Sequence, residues 1–334
     1  MGSLKKSVAY ALVITIMVSI MQLTAVSASD SSKLEKNIGY AFQVAKWFVS
    51  GIDDKLKIGK PIVAENLQGE FEVAIFDIGN EGFIIVNLND LSIPELNLEC
   101  KNPYAGVEHP VYNGPLCYYS RIGDSIISIR DLSLLEYFKG MDIYKKEEIQ
   151  DKEGYISKLF KNTTKGRSLL RVEKYINGRL EIWNNPDQCC GAVASAMCMR
   201  YYNDYVDSNY VENMYLSERE LIELMRLYVG HNGTLSSDVV FGLNNYFNYR
   251  HVDNEAYYTN GFNYSLLKRC INNSRPVIVE LRGHSTYKNH WVVAYGYCEI
   301  RGNASYIIVN DGWGYTNQWI SIDDHVRNIV YFKK

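Results

Sequence analysis

From Cys190 to Tyr202 the chain reads CGAVASAMCMRYY, an Ala-rich run of helix formers with a thiol as its first residue. Four β-rich runs follow only after Arg275: PVIVEL, HWVVAYGY, SYIIVND and QWISI. Helices first and antiparallel strands afterwards confine this half of the chain to an α+β architecture, a helical layer against a sheet with room for a cleft between them. Two more helical patterns lie in between, over Glu218 to Tyr228 and over DVVFGLNNYF. The first half repeats the class on a smaller scale. Leu34 to Ser50 sets Ile38, Phe42, Ala45 and Phe48 at helical spacing, a stripe that belongs on a sheet. FEVAIFDI and GFIIVNL are β-rich runs parted by the turn residues 79–82, and VYNGPLCYYS and SIISI form a second such pair.

The 334 residues, 47% apolar and 22% charged, suffice for two modest domains with their own cores. A net charge of −3 and the lack of any run of five like charges give nucleic acid nothing to hold, so no such partner is expected. Residues 1–28 read as an export signal: Lys5 and Lys6, then an apolar stretch from Val8 to Met21, then Val26, Ser27 and Ala28 before the cleavage point. The stretch is shorter than the ~20 residues of a spanning helix, so the expectation is a secreted chain with no membrane contact after signal cleavage. Seven cysteines in such a chain do not form the spaced framework of a small stapled domain, and their odd number leaves at least one thiol free. Cys100 and Cys117 are the candidates for one disulfide, while Cys270 and Cys298 read as core thiols. The spacing of Cys189, Cys190 and Cys198 fits no zinc pattern, and no metal is expected. Between Asp151 and Arg167 the chain turns polar, ending in KNTTKGR, and this reads as an exposed link of the kind proteases nick.

The chemistry gathers in the second half. A thiol in the first turn of a helix faces unpaired N–H groups and the positive end of the helix dipole, which favour the thiolate. The same N–H groups can donate to a tetrahedral oxyanion. Taken alone, a cysteine flanked by apolar residues in an Ala-rich helix is more often a packed core thiol. One hundred residues on, however, His290 leads a β run, and Asn310 and Asp311 end the next one, where a hairpin would bring one of them beside the imidazole. A thiol, an imidazole and a group that orients the imidazole are the parts of a cysteine nucleophile site. Strand alternation sends Asn310 and Asp311 to opposite faces, so only one side chain can point at His290. An Asn there would mainly fix orientation, and an Asp would also stabilise the imidazolium. Both also suit the turn before Gly312. Trp291 and Trp313 flank these positions as candidate cleft walls. His109, His231, His251, His284 and His325 have no comparable partners in sequence.

These motifs resemble the streptopain family of secreted bacterial cysteine peptidases. Cys190 is followed by GAVASAMCMRYYN, with Met199, Arg200, Tyr201 and Asn203 in register with the family's run. Arg275-Pro276-Val277 precedes the histidine strand HWVVAYG, and Val309-Asn310 with Gly312-Trp313-Gly314 looks like the VN-x-GWG motif. EFEVAIFDIGNEGFIIVNLNDLSIPELNLEC is similar to the core of the family's pro-domain. The resemblance implies a papain-like fold made as a zymogen and acting on protein or peptide without a cofactor. Cys190, His290 and Asn310 would be catalytic. Residues 29–167 would be an inhibitory pro-domain, 168–334 the catalytic domain, and KNTTKGR would lie near the activation cut. Two positions depart from the pattern. Asp311 stands where the family has a tryptophan and Gly191 where it has a valine; both look more like the bacteriocin-leader peptidases with their CG and ND-P motifs. In those, a glutamine about six residues before the cysteine completes the oxyanion hole; here that position is Asn184, with Gln188 closer to the thiol, and both are candidates. The departures keep two other functions open: a secreted binding protein on an inactive peptidase scaffold, and a Cys-His amidase or acyl transferase acting on cell-wall amides.

Overall fold

A computed structural model describes residues 28–334 apart from 131, 133–142, 164–170, 185–188, 213–215, 231–234, 285–287, 301–304 and 324. The export signal expected over residues 1–28 therefore lies, up to residue 27, outside the described residues. The chain forms two compact units, Met1–Gly39 and Tyr40–Lys334. Of the first, residues 28–39 are the opening of helix α1 (Ala28–Ile52).

The second unit is built on one sheet of 14 strands. Seven come from the first half of the chain: β1 (Ile58–Glu65), β2 (Phe71–Ile78), β3 (Gly82–Asn87), β4 (Glu95–Asn97), β5 (Pro110–Tyr112), β6 (Tyr118–Ile122) and β7 (Ser125–Ser128). Seven come from the second: β8 (Arg171–Tyr175), β9 (Ala256–Tyr258), β10 (Val277–His284), β11 (Lys288–Ile300), β12 (Ser305–Asn310), β13 (Gln318–Ser321) and β14 (Val326–Phe332). The order is β7-β6-β5-β1-β2-β3-β4-β13-β12-β11-β10-β14-β9, with β8 paired to β11. The two halves meet at one seam, where β4 pairs with β3 on one side and antiparallel with β13 on the other, setting Ile320 against Glu95 and Gln318 against Asn97.

The helical stripes behave as their spacing requires, with two differences. In α1, Ala41, Val44, Ala45 and Phe48 enter the core, while Phe42 stays 37% exposed at its rim. Phe42 meets Phe76 edge-on at 5.9 Å and Phe48 meets Tyr306 at 5.8 Å, so this helix rests on strands from both sides of the seam. The polar stretch after Asp151 is no simple link: α2 spans Lys152–Thr163. Asp151 accepts the Gly154 N–H at 2.7 Å, as an N-cap does, and Ile156 and Leu159, three apart, are buried on one face. Two apolar contacts and a cap outweigh the charges on the other face. Lys165 and Arg167, which frame the expected cut, lie outside the described residues.

In the second half, α3 (Cys190–Tyr205) is buried at every position from Cys190 to Tyr202, so it is a central helix and not an amphipathic surface one. Next come α4 (Glu218–Val229), α5 (Ser236–Arg250) and α6 (Tyr264–Asn272). A capping box of Ser217 and Glu220 starts α4. The α+β class holds throughout. Cys100 and Cys117 are not joined in a disulfide, contrary to the expected pair: the Cys100 thiol faces the Thr316 carbonyl at 3.8 Å, while Cys117 is packed with Leu67, Val111 and Tyr119. Among the described residues no helix is long and apolar enough to cross a membrane.

Candidate active site

Helix α3 starts at Cys190 itself. The N-cap position, Cys189, lends it no side-chain cap, so first-turn N–H groups are available to the thiol. The sulfur is faced by the N–H groups of Gly191 and Cys190 from its own helix and by that of Trp291 from β11. Burial is the larger influence: it pushes the thiol up to about 11, while the Trp291 and Gly191 N–H groups pull it back toward the thiolate. Cys198, two turns along, has burial alone and is pushed higher still. Trp291 directly follows His290, so the helix start and the head of the histidine strand meet at the sulfur.

His290 is 2% exposed, and its hydrogen bond runs to the main chain. Nε2 lies 3.0 Å from the carbonyl oxygen of Asp311. An Nε2–H donating to that carbonyl leaves Nδ1, on the other edge of the ring, as the basic nitrogen. The imidazole is stacked on Trp313 with centroids 3.8 Å apart and planes 10° from parallel. One loop, residues 311–315, thus supplies both of these contacts.

The hairpin does bring the next strand alongside: Asn310 pairs in register with Val293. Alternation then parts the two candidate orienting side chains. The Asn310 amide donates to the Glu181 carbonyl at 2.7 Å, and its oxygen accepts from the Gly312 N–H at 3.2 Å. Asp311 turns the other way. Its carboxylate accepts from the N–H groups of Trp313 at 2.8 Å and Tyr315 at 3.1 Å, and it is ion-paired with Arg130. What reaches His290 is the backbone of Asp311, between those two side chains. Gly312 makes the tight loop possible: its φ is +72°, and a Cβ there would stand 3.2 Å from Val193 on α3.

Asn184 is exposed on the strand-like approach to the helix, bridged to Trp313, with its N–H donating to Glu218 at 2.8 Å. Gln188, the other oxyanion candidate, lies outside the described residues. Trp291 is buried at 2% exposure, and Trp313 is half-buried over the imidazole. Arg130 escaped sequence reading altogether, since a lone arginine after SIISI carries no pattern that links it to a residue 181 positions away. Among the described residues no three His, Cys, Asp or Glu side chains are placed to hold a metal ion.

No curated protein matches the chain. Among solved structures it is similar to a C39-like peptidase from Bacillus anthracis (13% identity, TM-score 0.34, covering 48% of this chain and 98% of that one). It is also similar to the active wild-type interpain A cysteine protease of Prevotella intermedia (15% identity, TM-score 0.32, covering 48% and 94%). In sequence, residues 175–331, the stretch that carries Cys190, His290 and Asn310, match the Peptidase_C39 like family, a likeness to cysteine peptidases.

Proposed function

We propose that the protein is a secreted cysteine endopeptidase, similar to streptopains, that is made as a zymogen and hydrolyses peptide bonds in proteins. The observation that carries the reading is the thiol of Cys190 in the first turn of α3, faced by the Trp291 N–H beside a histidine whose Nε2 is already held. In the reaction, Nδ1 of His290 takes the thiol proton and the Cys190 sulfur attacks the scissile carbonyl. The first-turn N–H of Cys190 donates to the oxyanion, and the imidazolium returns its proton to the leaving amine. Water then attacks the thioester with His290 as base and frees the thiol. No step calls for a cofactor. The orienting role of Asn310 is indirect in this reading: its amide ties the Gly312 turn to the main chain at Glu181 and so sets where the Asp311 carbonyl lies.

Latency fits the burial of the site. Cys190 is 7% exposed, and burial keeps its thiol protonated near neutral pH. Residues 29–167 act as the pro-domain in this reading, and a cut near Lys165 begins activation. Replacing Cys190 by Ala should abolish hydrolysis of unfolded casein, lowering kcat/KM by roughly four orders of magnitude or more. Mass spectrometry of the secreted protein should show a cut near Lys165 that is missing in Cys190→Ala. Full activity in that variant, or labelling of a different cysteine by a thiol-directed epoxide, would sink the assignment. An intact, reagent-accessible Cys190 with no hydrolysis of any unfolded protein would favour a binding protein on the same scaffold.

A further inference from the structure

Resting on the Cys190–His290 reading, we infer that Arg130, from the first half of the chain, is a positioning residue for His290. His290 is held at two points, the Asp311 carbonyl on Nε2 and the Trp313 ring against its face, and both belong to the loop 311–315. That loop is built around the Asp311 carboxylate, which gathers the N–H groups of Trp313 and Tyr315. The carboxylate is fully buried, and Arg130 is the cation paired with it, itself only 9% exposed. The guanidinium does more than neutralise: its carbon lies 4.9 Å from the ring centre of Trp313, 4.9 Å from that of Tyr315 and 4.7 Å from that of Tyr118. A planar cation stacked among these rings and bonded to the turn-forming carboxylate fixes both the tilt of Trp313 and the height of the Asp311 carbonyl. Each sets the imidazole in turn.

Arg130 lies on the pro-domain side of the expected cut. The structure also shows what would keep it in place once the link is broken, namely the β4–β13 pairing and the Arg130–Asp311 ion pair across the seam. The first half of the chain is then a brace of the site for as long as it stays docked, and its release would take the Arg130 contact away from the loop.

The test is alkylation of Cys190 by iodoacetamide in the secreted protein, followed by mass spectrometry across about pH 5 to 10, together with the thermal midpoint. A cysteine paired with a histidine reacts at a pH well below its own thiol pKa, and this low-pH limb is the signature of correct placement. It should vanish in His290→Ala. In Arg130→Met it should fall about tenfold or more, and Arg130→Lys, which keeps the charge but not the stacked fork, should restore part of it. The double variant Arg130→Met with Asp311→Asn removes both charges, so its thermal midpoint should recover while the limb stays lost. A double variant with a wild-type limb would overturn the inference and reduce Arg130 to a structural pair. If instead His290→Ala leaves the wild-type profile unchanged, the Cys190–His290 reading itself fails, which the Arg130 variants alone would not show.

Discussion

Two carboxylates, Glu95 and Asp311, are buried at 0% exposure on either side of the seam, and Arg130 lies between them. Their partners differ in kind. Asp311 has the guanidinium bonded to it and two backbone N–H groups besides. Glu95 feels Arg130 only through space, and is satisfied by neutral donors: the Tyr118 hydroxyl and the Gln318 amide at short range, the Leu116 N–H at 3.1 Å and the Tyr112 hydroxyl at 3.4 Å. Each cluster joins the halves of the chain, since Arg130 reaches across to Asp311 and Gln318 reaches across to Glu95. The difference is in what burial does. Without a cation of its own, Glu95 is pushed up to about 7 by burial, against an ordinary value of 4.5. The site is therefore braced by an ion pair, and the seam beside it answers to protons.

The largest effect is expected from taking the carboxylate from Asp311. Asp311→Ala leaves the Arg130 charge buried with no counter-ion, and breaking a buried pair in this way costs about 3–5 kcal/mol. Urea unfolding should show that loss, and Arg130→Met should show one of similar size. A cost below about 1 kcal/mol for both would mean that solvent reaches the pair, and the contrast with Glu95 would collapse.

The next effect belongs to Glu95 and carries a definite sign. Its folded-state value is raised, so the folded protein binds the proton more tightly than the unfolded chain does. Stability from this group is fully present below about pH 4.5 and is lost as the pH climbs toward about 7. A rise of that size corresponds to a loss on the order of 3 kcal/mol once the pH is above about 7. Glu95→Gln cannot ionise, so it should be less sensitive than the wild type between pH 5 and 8 and the more stable of the two at pH 8. Urea midpoints at both pH values check this; parallel slopes for the two proteins would show that Glu95 does not titrate in that window.

Where sequence reading succeeded, the signal was local. The Cys190 helix, the His290 strand, the hairpin of β2 and β3 and the run to Asn310 all announce themselves by periodicity within about ten residues. It missed the elements that make the two halves one. Strand β4 is three residues, Glu-Leu-Asn, with no β-rich pattern, and its partner β13 is about 220 residues away in the chain. The charges of α2 hid a buried face that carries Ile156 and Leu159. Nor can any sequence pattern show that a main-chain carbonyl holds the imidazole, because that atom is the same in every residue. Asp311 was readable as a turn former before glycine, and that reading points to its loop, but Arg130 has no local signature at all.

The finest test separates the clusters at the residue they share. Tyr118 donates its hydroxyl to Glu95 and offers its ring to Arg130. Tyr118→Phe keeps the ring and removes the hydroxyl. Because that O–H favours the charged form of Glu95, its loss should push the carboxyl above about 7 and extend the pH-dependent loss of stability to higher pH. Below about pH 4, where Glu95 is mostly protonated both folded and unfolded, the cost should be only about 1 kcal/mol, that of one hydrogen bond. The low-pH limb of Cys190 alkylation should stay at its wild-type rate, since the ring that packs on Arg130 is intact. A limb that weakens along with the shift in the stability profile would mean the two clusters act as one network, and that the proton on Glu95 is felt at His290.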